Sequence, residues 1–373
     1  MIIGLNLLYL LPGIVGGTET YARELISALS RVDSDNHYVL FLNEESSGER
    51  FSSISRFEHV VCPVAASSRA KRYVWEQLHL PAFTESYGVD VLHSLGYVGP
   101  LFTHAAHVVT IHDVNFLQRD VRMSPVRRAM LGAATFSVAR TAQRTITMSN
   151  FSRDEIVRRL HVSEARVEVT HLAPRKRLDH QYANPTTAVE REYLLAFAGP
   201  SPHKNVPRLI EAFASVSDAI PHSLHIIGSL PRGGSVERVV DALAMGSRVQ
   251  LLGYIGDDAM ETELAGATAL VFPSLYEGFG LPIVDAQRLG VAVICSTAGS
   301  LPEIAGQGAM LFDPRSVCDI ASSISRVSKD RSLRERLIRA GRENVERFSW
   351  EATAMDTLRI YADAFHAKRS RAT

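Results

Sequence analysis

The chain has 373 residues, of which 46% are hydrophobic and 21% charged, and its 40 basic residues balance its 40 acidic ones. This composition suits a globular protein of about two domains and excludes a disordered chain, a collagen and a general nucleic-acid binder. The three cysteines lie far apart without a CxxC pair, which excludes a disulfide framework and a thiolate zinc site.

The N-terminal run MIIGLNLLYLLPGIVGG lacks the basic segment of a signal peptide, and Pro12 interrupts its apolar stretch. We interpret it as a buried strand that enters a glycine loop. No segment has the roughly 18–20 uninterrupted apolar residues of a membrane-spanning helix. The expected location is therefore the cytoplasm, with peripheral contact at the inner face of the cell membrane as a second possibility.

Short aliphatic runs alternate with helical patterns, which predicts α/β architecture with parallel sheets and helices on both faces. The predicted strands are 2–8, 38–42, 89–93, 106–111, 144–148, 167–170, 193–198, 223–227, 248–252, 269–272 and 291–295. The predicted helices are 18–30, 72–87, 125–142, 152–160, 206–219, 236–245, 258–266, 281–289 and an amphipathic helix from 332 to about 366.

The alternation pauses once, in a polar segment with two prolines that we interpret as a linker at 173–192. It would separate a Rossmann-like domain at 1–172 from a second one at 193–350. The last segment, 351–373, would form a helix that packs back on the first domain and ends in a basic tail. Two doubly wound domains of this kind are expected to face each other across a cleft, where ligands meet the carboxyl ends of the strands.

The strongest chemical signal is the run SLYEGFGLPIVD at 274–285. A strand ends before it, its glycines let the backbone approach a ligand, and a helix begins near Leu281. The free N–H groups of a new helix favour an anion such as a phosphate. Glu277 and, eight residues later, Asp285 can accept hydrogen bonds from hydroxyls of a sugar and of a ribose.

This run resembles the E-x7-E signature of the retaining glycosyltransferases of glycosyltransferase family 4, which have the GT-B fold of two Rossmann-like domains. One residue departs from the signature, because Asp285 stands where the family has the longer glutamate. The resemblance implies that Glu277 contacts the hydroxyls of the donor sugar. The donor-binding residues implied in this run are Glu277, Gly278, Phe279, Gly280, Leu281 and Asp285.

A second loop, FAGPSPHKN at 197–205, joins a predicted strand to a helix. Lys204 is a compact cation suited to a diphosphate, and it could stabilise the charge on a leaving diphosphate without a metal ion. The resemblance gives Lys204 this role. His203 stands where the family usually has an arginine nearby, and it could donate a proton or a hydrogen bond to the donor.

The N-terminal loop contains Gly16 and Gly17, followed by Thr18 as the predicted N-cap of the first helix. No GxGxxG pattern is present, so the loop is not a dinucleotide fingerprint. It resembles the paired-glycine loop that lies beside the donor diphosphate in the family. An ordinary glycine turn is the alternative.

His112 and Asp113 follow a predicted strand at its carboxyl end. A lone histidine is more often a structural hydrogen-bond partner, whereas the resemblance implies an active-site residue near the donor sugar. Asp113 would orient His112 or cap the next loop. Further along the chain, the resemblance places the backbone of Tyr254 and Ile255 near the nucleobase, and either Ser149 or Ser152 is interpreted as a helix N-cap.

No metal or other cofactor is expected. The D-x-D pattern at Asp33 and Asp35 lies in a polar turn, which we interpret as solvated, and no other cluster has metal-ligand spacing.

Basic residues gather in two segments of the first domain. Arg69, Lys71 and Arg72 come just before Tyr73 and Trp75, and six arginines lie at 119, 122, 127, 128, 140 and 144. They form either a solvated helix face or a surface for anionic lipid headgroups. The resemblance favours the second interpretation, because acceptors in the family are often lipid-linked glycans.

The resemblance thus implies a retaining hexosyltransferase that uses His112, Glu277 and Lys204. The preferred donor is GDP-mannose, with UDP-sugars next, and the acceptor is a glycan or lipid-linked glycan of a surface polysaccharide or lipopolysaccharide pathway. The alternatives are a nucleotide-sugar epimerase of the same architecture and a non-catalytic nucleotide-sugar-binding protein. A dehydrogenase is disfavoured, since GxGxxG is absent.

Overall fold

The structure is a computed structural model that describes residues 1–14, 16–118, 123–175, 192–231 and 233–370. The chain divides into two units. The N-terminal unit comprises Met1–Leu117, Met123–Ala173 and Phe348–Thr373, and the C-terminal unit comprises Gln118–Arg122 and Pro174–Arg347. Most of the predicted linker lies outside the described residues.

The described part of the N-terminal unit contains a seven-stranded parallel sheet in the order β3-β2-β1-β4-β5-β6-β7. Parallel neighbours need crossover connections, which α-helices supply between most of the consecutive strands of this unit. The strands are β1 (Ile2–Asn6), β2 (His37–Leu42), β3 (Phe57–Val61), β4 (Val91–Ser94), β5 (Ala106–Thr110), β6 (Arg144–Thr147) and β7 (Val167–Val169). The helices are α1 (Gly17–Val32), α2 (Arg69–Leu78), α3 (Leu80–Ser86), α4 (Pro125–Thr141), α5 (Asn150–Leu160) and, from the end of the chain, α13 (Trp350–Arg369).

The described part of the C-terminal unit contains a six-stranded parallel sheet in the order β10-β9-β8-β11-β12-β13. The strands are β8 (Tyr193–Phe197), β9 (Ser223–Ile227), β10 (Val249–Gly253), β11 (Ala269–Phe272), β12 (Ala292–Ser296) and β13 (Ala309–Phe312). The helices are α6 (Val206–Ala214), α7 (Ser235–Ala242), α8 (Asp257–Ala265), α9 (Leu281–Arg288), α10 (Leu301–Ala305), α11 (Val317–Lys329) and α12 (Arg331–Val345).

The central strands carry continuous apolar runs because both faces of each sheet are covered. Successive residues of a strand point to opposite faces. In β8, for example, Leu194 and Leu195 are both fully buried but belong to two different core clusters. The same holds for Val271 and Phe272 in β11. This arrangement confirms the predicted fold class.

The predicted strands are all present, with ends within two residues of those observed, but β3 and β13 were not predicted. The predicted helix at 72–87 is two helices, because the chain turns at His79 and Pro81 starts α3, where its missing N–H costs nothing. The predicted C-terminal helix is also divided. Ser349 caps α13 by accepting a hydrogen bond from the amide of Ala352 at 3.0 Å.

Two predictions of helix caps can be compared with the structure directly. Ser149 does cap α5, since its hydroxyl oxygen accepts from the amide of Ser152. Thr18 does not cap α1, because the helix already begins at Gly17 and Gly16 occupies the cap position.

The prediction of a solvated Asp33 was also wrong. This side chain is buried and accepts hydrogen bonds from Tyr38, Asn36 and the amide of Asp35. Burial raises the pKa of Asp33, and these hydrogen bonds outweigh that effect, so the net pKa is lowered.

Candidate active site

The signature loop connects β11 to α9 and is shaped by one glycine. Gly280 has φ +106°, a conformation that side chains rarely adopt, and a Cβ atom there would lie 2.8 Å from Cδ2 of Leu301. The next residue, Leu281, begins α9. The second helical residue, Pro282, has no N–H, and the amide of Ile283 donates to the carbonyl oxygen of Gly280 at 2.9 Å.

Ser300 holds the signature loop in place from outside the signature. Its hydroxyl lies 3.0 Å from the carbonyl oxygen of Glu277 and 2.9 Å from that of Phe279. Gly299 packs so closely that a Cβ atom would come within 2.9 Å of the Glu277 backbone. Sequence analysis gave Ser300 no role, and the structure shows that it shapes the signature loop.

The two predicted donor loops of the C-terminal unit contact each other. Asn205 is in the left-handed region at φ +57°, and its buried amide donates to the carbonyl oxygens of Pro273 at 3.1 Å and Pro314 at 2.8 Å. The amide of Leu275 donates to the carbonyl oxygen of His203 at 2.7 Å. Asn205 is a positioning residue that sequence reasoning quoted without giving it a role.

Lys204 and Glu277 form an ion pair across these loops. Lys204 Nζ lies 2.7 Å from Glu277 Oε1, with the side chains 24% and 15% exposed. The ammonium group also lies 5.2 Å from the centre of the Phe272 ring. Burial raises the pKa of Glu277, and the charge of Lys204, joined by that of His203 when its ring is protonated, outweighs that effect, so the net pKa is lowered. Glu277 is therefore ionised at neutral pH.

His203 lies beside this pair, and its Nδ1 atom is buried without a hydrogen-bond partner among the described residues. Burial lowers the pKa of His203, the Glu277 carboxylate opposes that shift, and the Lys204 charge adds to it. The net effect keeps the ring neutral at pH 7. An unpaired ring nitrogen can then accept or donate one hydrogen bond, depending on its tautomer.

The predicted nucleobase loop follows β10. Gly253 has φ +69°, and its carbonyl oxygen accepts from the amide of Gly228 at 2.8 Å, which ties the end of β10 to that of β9. Tyr254 is 69% exposed, while Ile255 packs against the core of this unit. The next helix, α8, starts at Asp257.

Asp285 is almost completely buried, and its carboxylate is occupied by Arg175. The Arg175 amide donates to Oδ1 at 3.0 Å, and its guanidinium donates to Oδ2 from Nε at 3.0 Å and from Nη2 at 2.8 Å. Sequence reasoning placed Arg175 in the linker and gave it no role. Ribose binding by Asp285 stays a prediction.

In the N-terminal unit, Gly16 has φ +59° and ψ −127°, and Gly17 begins α1. No atom lies within 4 Å of a Cβ built on either glycine, so among the described residues this helix end is open. Glu19 folds back towards the loop, where it accepts from the amide of Gly13 at 2.8 Å.

His112 lies just after β5, between the rings of Tyr21 and Tyr97 at centroid distances of 5.1 and 5.5 Å. Its Nε2 atom lies 3.2 Å from the Leu95 carbonyl oxygen, which can only accept, so Nε2 carries the proton and Nδ1 is left as an acceptor. Burial lowers the pKa of His112 to about 4. Asp113 caps the next loop by accepting from the amide of Asn115 at 3.1 Å.

The described residues contain no group of three or more His, Cys, Asp or Glu side chains arranged to hold a metal ion. They also include no helix with the length and apolar character needed to cross a bilayer.

Comparison with known proteins gives a family for both halves of the chain. Residues 15–173 match the model of Glycosyltransferase Family 4, and residues 181–344 match the model of Glycosyl transferases group 1. The O-antigen chain mannosyltransferase B of Escherichia coli is 30% identical over 264 residues, covering 68% of this chain and 69% of that protein. The MMP alpha-(1->4)-mannosyltransferase of Mycolicibacterium hassiacum is 28% identical, covering 69% of this chain and 65% of that protein.

Solved structures show the same fold at lower identity. Sucrose-phosphate synthase from Thermosynechococcus elongatus has a TM-score of 0.80 at 21% identity, covering 98% of this chain and 100% of that one. HepE from Anabaena, solved with UDP and glucose, has a TM-score of 0.73 at 16% identity, covering 97% and 99%. The chain therefore belongs to glycosyltransferase family 4 and has the GT-B fold.

Proposed function

We propose that this glycosyltransferase moves mannose from GDP-mannose to a glycan or lipid-linked glycan, with retention of the donor's anomeric configuration. The observation that carries the proposal is the Lys204–Glu277 pair in the loops before α6 and α9. The names of the two relatives, both mannosyltransferases, support mannose as the transferred hexose.

In the proposed reaction the donor separates the two charges of this pair. Lys204 and the backbone amides of the loop near 279–281 would bind the diphosphate and stabilise the negative charge that develops as the sugar leaves. Glu277 would accept hydrogen bonds from hydroxyls of the transferred sugar. These groups would do the work of a divalent cation, so no metal ion is required.

His112 would contribute from the N-terminal unit as a neutral hydrogen-bond acceptor. Because Nε2 donates to Leu95, Nδ1 is available to accept from a sugar hydroxyl. The acceptor hydroxyl would attack the anomeric carbon on the face that the diphosphate leaves. The departing phosphate oxygen would take the proton, so retention needs no protein nucleophile.

The test is a panel of GDP, UDP, GDP-mannose and UDP-glucose with the purified chain, scored by calorimetry and then by transfer to lipid-extract acceptors. We expect GDP-mannose to bind and to be consumed only with acceptor, and the product's anomeric signal to match the donor's configuration. Conversion of the donor sugar without acceptor would indicate an epimerase, and binding without turnover under any acceptor would indicate a binding protein.

We also propose that the N-terminal unit contacts anionic lipid through α2 and α4. The charge of Arg69 is close enough to Arg127 to lower the pKa of that guanidinium, after the larger effect of partial burial. Two positive charges this close repel each other, and an anionic lipid headgroup beside them would offset that repulsion. Each helix also exposes two apolar side chains one turn apart, which are Val74 and Leu78 on α2, and Val126 and Met130 on α4.

The structure narrows the predicted basic surface. Arg72 is buried and pairs with Glu76 at 3.4 Å, so the prediction that it faces lipid was wrong. Arg140 and Arg144 donate to backbone carbonyl oxygens, and Arg119 and Arg122 lie outside the described residues.

Flotation with two kinds of vesicle tests this surface. One kind contains neutral lipid only, and in the other about 30% of the lipid is phosphatidylglycerol. We expect binding to the anionic vesicles only, and its loss in Arg69→Glu/Arg127→Glu. Two results would refute the assignment. One is binding of the variant to anionic vesicles as strongly as the wild type, and the other is equal binding of the wild type to both kinds of vesicle.

A further inference from the structure

The carboxylate of Asp285 uses both oxygens on one arginine. Arg175 contacts Oδ1 through its backbone amide and Oδ2 through two guanidinium nitrogens, all at 2.8–3.0 Å. The side chain of Asp285 is only 5% exposed and that of Arg175 only 21%. Such a charge-assisted, two-nitrogen contact fixes direction as well as distance.

Arg175 reaches a second helix at the same time. Its Nη1 atom lies 3.6 Å from Oδ1 of Asp257, and Nη2 lies 3.8 Å from the sulfur of Met260. Asp257 is the first residue of α8, directly after the Tyr254–Ile255 loop. One guanidinium therefore connects the helix of the signature run to the start of the helix that follows the nucleobase loop.

We infer that Arg175 is a positioning residue for the nucleotide, and that Asp285 acts by holding Arg175 rather than by binding the donor ribose. Arg175 would set the distance between the amides at the start of α9 and the backbone of the Tyr254–Ile255 loop. The inference rests on the proposed function, since it concerns how the same nucleotide is held.

The short side chain of Asp285 fits this role. The Arg175 backbone amide donates directly to Oδ1, so the main chain of residue 175 lies within hydrogen-bond distance of the carboxylate. A glutamate would extend the carboxylate by one methylene towards that main chain, at a position where the residue is only 3% exposed. The aspartate at this position of the signature is thus matched to the arginine.

The two roles of Asp285 predict opposite results for Arg175→Met. If Asp285 holds Arg175, removing the guanidinium loosens the nucleotide loop. Binding of GDP and UDP should then weaken about tenfold, donor KM should rise by a similar factor, and kcat should change by less than about threefold, because the contact is alike in ground and transition states. If Asp285 binds the ribose, Arg175 is its competitor, and the same variant should bind nucleotide equally or more tightly.

The chain offers a matched control in Arg288→Met. Arg288 joins the same two helices, with Nη2 at 2.8 Å from Oε1 of Glu261 and with similar exposures of 22% and 8%. It lies at the far end of α9. We expect Arg288→Met to lower the melting temperature without changing nucleotide affinity, which separates positioning from general loss of stability.

Conservative variants complete the test. Arg175→Lys keeps a cation but cannot bridge both helices, so its nucleotide affinity should lie between those of the wild type and Arg175→Met. It also replaces Arg175→Met if that variant does not fold. Asp285→Asn should match Arg175→Met in donor KM, and the double variant should be no worse than either single one. Tighter nucleotide binding by Asp285→Glu would overturn the inference.

Different results would refute the proposed function and the inference about Arg175. If the wild type binds no nucleotide or nucleotide sugar, the proposed function fails. If the wild type binds GDP or UDP and Arg175→Met binds it with unchanged affinity, only the inference about Arg175 fails.

Discussion

Removing Lys204 should lower the stability of the empty protein as well as its activity, because it leaves the Glu277 carboxylate largely buried without its cation. Breaking a fully buried ion pair costs about 3–5 kcal/mol, and partial exposure of this pair reduces that to roughly 2 kcal/mol. In a domain of this size the melting temperature should fall by about 4–8 °C in Lys204→Met.

Removing both charges should cost less than removing the lysine alone. In Lys204→Met/Glu277→Gln no orphaned carboxylate remains, so the double variant should melt above Lys204→Met. The assay is thermal unfolding of the four proteins of this double-mutant cycle without ligand. The exposed pair Arg331–Glu335 in the same unit is the control, and its cycle should show no coupling. Additive effects at Lys204 and Glu277 would refute the reasoning.

Turnover gives the second measurement on the same proteins. Glu277→Gln keeps the shape of the side chain but not its charge, so kcat should fall about 10²-fold or more, equivalent to roughly 3 kcal/mol of lost electrostatic stabilisation. Lys204→Met should lose a similar factor. In the double variant the loss of stability should be smaller than in Lys204→Met, but the loss of turnover should not be smaller than in either single variant. The reason is that each charge would face a different part of the donor. A folded Glu277→Gln protein with normal transfer would exclude Glu277 from the site.

Three further predictions concern other groups. His112→Asn should cut turnover at least about tenfold with a small change in melting temperature, and a collapse of stability would support a structural role instead. Transfer should persist in excess chelator, and activity restored only by manganese would reopen the metal question. Burial lowers the pKa of His93 and His107 to about 3, so both bind protons more weakly folded than unfolded. The stability that each neutral, buried histidine contributes is complete above about pH 6.5 and is lost as the pH falls. The free energy of unfolding should therefore rise with pH below about 6.5. In urea titrations, His107→Asn should reduce the slope of that rise by up to about 1.4 kcal/mol per pH unit.

The signature loops could be predicted because their chemistry is local. In the run around Glu277, a strand, a glycine with the required backbone freedom, an acid and a helix start lie within a dozen residues. The run around Lys204 likewise joins a strand to the start of a helix, with a lysine as its charged residue. The two runs are brought together by hydrogen bonds from Asn205 to the carbonyl oxygens of Pro273 and Pro314. These partners lie far from Asn205 in sequence, so no local pattern predicts the contact.

The missed features have a common physical reason. The strands β3 and β13 are edge strands with partly exposed residues: polar residues interrupt the apolar run of β3, and the apolar run of β13 is only four residues long. Arg175 looks like a solvated basic residue in sequence, since nothing local marks its carboxylate, whereas Arg72 has a carboxylate nearby but no local sign that the pair is buried. Glu76 lies one helical turn from Arg72, but Asp285 lies 110 residues from Arg175.

The return of the chain to the N-terminal unit has a consequence for the order of folding during synthesis. Trp350 and Tyr361 are fully buried in α13, and the Tyr361 hydroxyl lies 2.7 Å from Nδ1 of His93. The N-terminal unit therefore emerges first from the ribosome but cannot complete its core until α13 has been made. The C-terminal unit consists almost entirely of the segment Pro174–Arg347, which is complete before α13 is made and can fold in the meantime. Until α13 arrives, His93 and the apolar surface that α13 covers stay exposed, and a chaperone that binds nascent chains would find its target there.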